Sequence, residues 1–247
     1  AKAGASMVHI HVHDEEGRPT MDTKYFRAAF EAVKEATEKA GVDVIVNLTT
    51  SGGSNDSFLR QEHLRQLRPE VCSYDAGTFN WALGGMFENS PDFLVELGKT
   101  TQQYDIKPEI EIFDAGMLSN AIAYTGYKVL KAPCHFQFVL GVVGAMAGTV
   151  ENLEYLHRHL PVGSTWSVTG IGKAHLPMLL AGLALGCDGL RVGLEDNVMY
   201  GKDENGNKVI ATNVMLVERA VRLAKEAGRQ IATADDARKI LGIGKRA

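Results

Sequence analysis

The residues with the greatest chemical potential are His9 and His11, separated by a single isoleucine. Alternate residues of a strand share a face. An extended run over residues 7–13 therefore sets His9, His11 and His13 on one side and Val8, Ile10 and Val12 on the other. Two imidazoles placed this way can ligate one metal ion. Glu195, at the end of the last β-rich run, is a candidate third ligand, because two histidines and a carboxylate with one open position make a catalytic zinc site. Asp196 would then stand on the following loop as a base beside the cation. Arg191, one pleat below Glu195, would hold an anionic substrate group or orient Asp196. The plainer alternatives are a packed or surface histidine pair and a structural Arg–carboxylate pair.

Weaker signals surround this set. Glu109 and Glu111 share a face opposite Ile110 and Ile112. The run Thr169-Gly170-Ile171-Gly172-Lys173 offers backbone N–H groups at Gly170 and Gly172, and the Lys173 cation, to a phosphate. As a bare GxG it is not a Walker loop. His135 begins its β-rich run and so belongs to the far end of the sheet from His9 and His11. His63, His157 and His159 fall in helical patterns and read as surface residues, while His175 opens a helix. Two glycosylation sequons, at Asn47 and Asn55, have no secretory context.

These residues need elements to hold them. Strand-like runs occupy residues 7–12, 44–49, 71–75, 108–113, 135–140, 165–169 and 190–194. Helical patterns cover 22–40, 58–67, 92–104, 150–159, 174–185 and 214–227. A polar insert at 197–213, turning at Asp203-Glu204-Asn205-Gly206, reads as a rim hairpin. Strands alternating with helices imply a parallel sheet with right-handed crossovers. Seven such units approach the eight of a (β/α)8 TIM barrel, an α/β fold whose chemistry sits at the C-terminal ends of its strands. The opening Ala1-Lys2-Ala3-Gly4 reads as the tail of a helix, so the expectation is a single barrel domain over 1–247 that lacks its first βα unit. An open doubly wound sheet is the rival, and no GxGxxG supports it. Nearly every strand has one apolar and one polar face, which points the polar faces into the barrel.

The 247 residues carry a net charge of −4, with 45% hydrophobic and 23% charged side chains, so the chain is globular. No dense basic stripe suggests a nucleic-acid partner, and no apolar run reaches membrane-spanning length. Cys72, Cys134 and Cys187 lie far apart, which fits reduced thiols in a cytoplasmic protein.

Several ordered motifs carry a resemblance. They are Val8-His9-Ile10-His11 with Gly17-Arg18-Pro19, Thr49-Thr50-Ser51-Gly52-Gly53, Asp75-Ala76-Gly77-Thr78-Phe79-Asn80, Pro108-Glu109-Ile110-Glu111, His135-Phe136-Gln137-Phe138-Val139-Leu140-Gly141, Gly170-Ile171-Gly172 and Arg191-Val192-Gly193-Leu194-Glu195-Asp196-Asn197. Over essentially the whole chain, the set resembles the β-keto acid cleavage enzymes. The resemblance implies a zinc-dependent barrel, commonly a homotetramer, that converts a β-keto acid and acetyl-CoA into acetoacetate and a new acyl-CoA. By position it makes His9, His11 and Glu195 the zinc ligands, Asp196 and Arg191 catalytic, and Glu111 a glutamate at the substrate. Thr49 and Ser73 stand at two substrate-binding hydroxyl positions, with serine and threonine exchanged. The Thr169–Lys173 loop is the candidate for the CoA phosphates. A family strand that bears a further glutamate near the substrate has no counterpart in the chain. The rival readings are an amidohydrolase-like zinc hydrolase, which needs more histidines on later strands, and a non-catalytic metal-stabilised barrel.

Overall fold

The computed structural model describes residues 1–52 and 56–246; Gly53 and Asn55 lie outside them. The chain opens with a turn in which the Gly4 N–H donates to the Ala1 carbonyl. Strand β1 (Met7–Ile10) leads into helix α1 (Thr23–Ala40), capped by the Asp22 carboxylate and ended by Gly41 at φ 65°. Next come β2 (Ile45–Leu48), α2 (Leu59–Leu67) and β3 (Val71–Asp75). Residues beyond β3 form a short antiparallel pair that the sequence pattern did not announce, β4 (Phe79–Asn80) and β5 (Met86–Phe87). It closes on an aromatic cluster of Phe79, Phe87 and Phe113. Then follow α3 (Pro91–Gln103), β6 (Lys107–Ile112), α4 (Ala115–Gly126), β7 (His135–Leu140), α5 (Val150–Arg158), β8 (Thr165–Gly170), α6 (His175–Leu185) and β9 (Gly189–Leu190). The rim hairpin is present as β10 (Met199–Lys202) and β11 (Lys208–Ile210), and the chain ends with α7 (Asn213–Glu226) and α8 (Ala234–Leu241).

Helices α4 and α8 are additions to the sequence reading. The first is so uniformly small and apolar that its amphipathic period is faint, and it is started by the Asp114 side chain. The second is short and is defined by a Thr233–Asp236 capping box.

The main sheet runs β1-β2-β3-β6-β7-β8-β9, with every neighbouring pair parallel. Its outermost strands, β1 and β9, share no ladder among the described residues. Yet His11, just past β1, lies 3.0 Å from Glu195, just past β9. The sheet therefore curls round on itself as an open, seven-stranded parallel half-barrel. A (β/α)8 barrel closes with eight strands.

The alternation expected of the strands is present. Leu48, Ile110, Ile112, Phe136, Phe138 and Val168 are fully buried in the apolar core, and Asn47, Ser73, Asp75, Glu109, Glu111, His135, Gln137, Ser167 and Thr169 are buried on the polar side. At the opposite end of the sheet, Arg238 of α8 clamps the starts of two strands. It donates to Asp43 before β2, to Glu70 before β3 and to Asp235 on its own helix.

Two helical histidines depart from the surface reading. His63 is fully buried with its ring stacked 3.9 Å from Phe26. His157 packs 4.8 Å from the Trp166 ring, and only His159 is exposed. The last strand is also shorter than expected. The Asp196 and Asn197 N–H groups both donate to the Gly193 carbonyl, which folds the chain into a tight turn. Arg191 and Glu195 are thus related by a turn rather than by a pleat.

Candidate active site

The metal-competent trio forms at the mouth of the curled sheet. His9 lies on β1 and His11 one residue beyond it, with their Nε2 atoms 3.1 Å apart. Glu195 Oε1 lies 3.0 Å from His11 Nε2, and the ligand atoms of all three fall within 4.8 Å of one another. Burial, with Arg191 and His11 close by, pulls His9 down to about 3 and keeps it neutral. Against its own burial penalty, Glu195 is held at about 2 by the His11 hydrogen bond and by Arg191. A neutral imidazole and an ionised carboxylate converging on one point fit the donor set of a divalent zinc ion.

The turn after β9 shapes the rest. Arg191 grips Asp196 in bidentate fashion, Nε to Oδ2 at 3.0 Å and Nη2 to Oδ1 at 2.9 Å. The same guanidinium donates to Glu111 Oε2 at 3.2 Å and lies 3.2 Å from Glu195 Oε2. Thr169 adds a hydroxyl to Asp196 Oδ2 at 3.2 Å. Of the two roles read for Arg191, the structure shows the one that orients Asp196, which is buried on the loop and held from two sides. Glu111 is pushed well above the usual carboxylate range, by burial first and by Asp75, Glu109 and Glu195 next, in spite of Arg191. Asp75, its register partner on β3, is raised by burial too.

Thr49 and Ser73 are buried, and their hydroxyls accept backbone hydrogen bonds. Thr49 Oγ1 accepts from Ser51 N–H at 3.0 Å, and Ser73 Oγ accepts from Thr50 N–H at 2.9 Å. They shape the turn after β2. Gly170 is required where it stands, since a Cβ there would meet the Ala174 carbonyl at 2.2 Å. The Gly172 N–H is committed to the Asp196 carbonyl at 2.9 Å, which removes it as a phosphate donor and ties this loop to the turn that carries Asp196. Lys173 is exposed. It lines a groove of about 520 Å³ with His175, Leu176, Leu194, Val198, Tyr200 and Arg219, and the groove's floor includes Glu195 and Asp196.

Sequence reasoning missed a second polar layer beneath the trio. His135 begins its strand, as expected, and reaches this layer through Glu109. Its Nε2 lies 3.8 Å from Glu109 Oε1, and a Glu109 oxygen lies within 4.8 Å of a His9 nitrogen. Asn47 Nδ2 donates to Glu109 Oε2 at 2.6 Å, while His135 bonds Thr165 and Ser167. His9, Asn47, Glu109, His135 and Ser167 line a cavity of about 340 Å³ that is also lined by Met7 of β1 and Leu190 of β9. The only available signal was their shared polar face, because inter-strand register is not written in the sequence.

Comparison with known proteins gives this geometry a lineage. A family model described as beta-keto acid cleavage enzyme matches residues 1–243. The 3-keto-5-aminohexanoate cleavage enzyme of Fusobacterium nucleatum is 39% identical over 244 residues, covering 99% of this chain and 86% of that protein. The 3-oxoadipate:acetyl-CoA acetyltransferase of Cupriavidus necator is 33% identical over 245 residues, covering 98% and 82%. In fold, the chain resembles ObcA, solved as a ternary complex with a C4-CoA adduct and oxalate. The TM-score is 0.84 at 23% identity, and the match covers 98% of this chain and 64% of that one. The ordered motifs, the polar interior and these matches agree, and the chain belongs to the β-keto acid cleavage enzyme family.

Proposed function

We propose that the chain converts a β-keto acid and acetyl-CoA into acetoacetate and the acyl-CoA of the remaining fragment, with zinc held by His9, His11 and Glu195. The observation that carries this reading is the convergence of those three ligand atoms beside the Arg191–Asp196 pair. Bound there, zinc supplies Lewis-acid polarisation of the keto carbonyl.

The chain's own residues account for the rest. Among the described residues, Arg191 is the one cation in direct contact with all of Glu111, Glu195 and Asp196, and it presents a planar fork suited to a carboxylate. A substrate carboxylate competing for that fork loosens Asp196, which then takes a proton from the C2 methylene, the carbon acidified by the neighbouring ketone. The carbanion adds to the thioester carbonyl and expels CoA thiolate, and the thiolate adds to the original ketone carbon to become the new acyl-CoA. The C–C bond to that carbon breaks to release the acetoacetate carbanion, which takes back the proton held by Asp196. Glu111, whose carboxyl is pushed well above its usual range by burial, is placed to hydrogen-bond a substrate oxygen. The groove with Lys173 and Arg219 at its polar positions and Leu176, Leu194 and Val198 at its apolar ones suits the phosphates and pantetheine arm of CoA. Three buried free thiols support a cytoplasmic setting, and we infer a homotetramer from the family.

A panel of β-keto acids incubated with acetyl-CoA, with and without a chelator, tests the reading. Chelator-sensitive acetoacetate and a matched acyl-CoA are expected for at least one acid. Turnover without CoA would indicate a hydrolase, and no product from any acid would overturn the proposal.

A further inference from the structure

The layer beneath the metal-competent trio contains two buried atoms without a hydrogen-bond partner among the described residues, His9 Nδ1 and Asn47 Oδ1. They are complementary, since an imidazole nitrogen can carry a proton and a carboxamide oxygen accepts one. They are also neighbours by construction, because His9 and Asn47 are register partners on β1 and β2. The other end of the Asn47 carboxamide is already fixed, its Nδ2 donating to Glu109 Oε2 at 2.6 Å. Glu109 sits in β6, in register with Ser73 on one side and His135 on the other. His135 is itself pinned by Thr165 Oγ1 at 2.8 Å and Ser167 Oγ at 3.1 Å.

We propose that Asn47 is a positioning residue, oriented by Glu109, whose side-chain oxygen takes the Nδ1–H of His9 and so aims the His9 Nε2 lone pair at the point shared with His11 and Glu195. The inference rests on the zinc reading above. An imidazole ligates through a nitrogen only when that nitrogen is bare, and the hydrogen bond at the other nitrogen decides which one that is. The opposite carboxamide orientation turns an NH2 group toward His9. It leaves the proton on Nε2, facing Glu195, where it blocks ligation. An acceptor on Glu109 selects against that orientation. The polar layer at the foot of the trio thus sets a tautomer at its top.

The decisive measurement is the tautomer of His9 in the metal-free protein, read by histidine side-chain 15N NMR and assigned by its loss in His9→Gln. The expected form carries the proton on Nδ1. Asn47→Leu should mix the tautomers and weaken zinc binding about 10- to 100-fold. Combining Asn47→Asp with Glu109→Gln exchanges donor and acceptor between the two side chains but keeps an oxygen facing His9, so it should restore both readouts. A merely structural role would show no such rescue. A wild-type His9 protonated on Nε2, or an Asn47→Leu protein with unchanged tautomer and zinc affinity, overturns the inference. If Asn47→Leu does not fold, the wild-type tautomer and the paired variant decide. A wild-type protein that carries the Nδ1 proton yet binds no zinc overturns the zinc reading and leaves the positioning role standing.

Discussion

Two arginines at opposite ends of the sheet each hold three carboxylates. Arg238 bonds Asp43, Glu70 and Asp235, and Arg191 bonds Glu111, Glu195 and Asp196. Around Arg238 the charges are more nearly matched, two cations to three carboxylates. Lys245 also reaches Asp43, Asp43 is partly solvated, and the pairing draws Asp43 down to about 2, with the Arg238 hydrogen bond as the largest influence. Around Arg191 they are not. Asp75, Glu109 and Glu111 crowd the same buried space, and burial raises all three. A matched cluster ties elements together, whereas a mismatched one in a dry interior holds back carboxylates for an incoming cation or a proton. The same chemistry ties elements together at one end and, on the proposed function, serves the reaction at the other.

That contrast is broken most sharply by removing each arginine. Arg191→Ala should lower kcat/KM by roughly 10³-fold while the thermal midpoint changes little, because the remaining carboxylates can protonate. Arg238→Ala should leave kcat/KM near wild type but cost about 3 kcal/mol, a fall of about 8 °C in the midpoint by calorimetry. Equal effects of both variants on both readouts would erase the distinction. Next in size, Asp196→Asn should keep its zinc, measured by metal analysis, and lose about 10²- to 10⁴-fold in turnover. Full activity in that variant would remove Asp196 from the proton transfer.

The site residues were legible because period-two alternation put His9 with His11, and Glu109 with Glu111, before any coordinate was known. Arg191 and Asp196 were legible as a possible pair, but the bidentate form of that pair was not, because the last strand ends at Leu190 and the turn that joins them leaves no periodic trace. The partnership of Asn47 with Glu109 spans 62 residues and depends on strand register alone. His63 was misread for a tertiary reason. Its helix, LRQEHLRQL, is polar almost all round, and the ring is buried only because α1 brings Phe26 over it.

His63 also supplies the smallest effect, one that belongs to neither arginine. Burial lowers it from 6.5 to about 3, so the folded protein stays unprotonated there while the unfolded chain takes up a proton below pH 6.5. Stability is complete above pH 6.5 and drains as the pH falls toward 3. Between pH 6.5 and 5 this group alone contributes a loss of about 2 kcal/mol. His63→Phe should flatten that part of the profile in urea unfolding at pH 7 and pH 5, and an unchanged slope would mean that His63 titrates normally.

The central claim concerns one ion shared by the two ends of the curled sheet, and zinc stoichiometry by native mass spectrometry addresses it directly. One zinc per chain is expected in the wild type, in Arg238→Ala and in Asp196→Asn, and none in His11→Ala. A fully loaded His11→Ala chain would contradict the account.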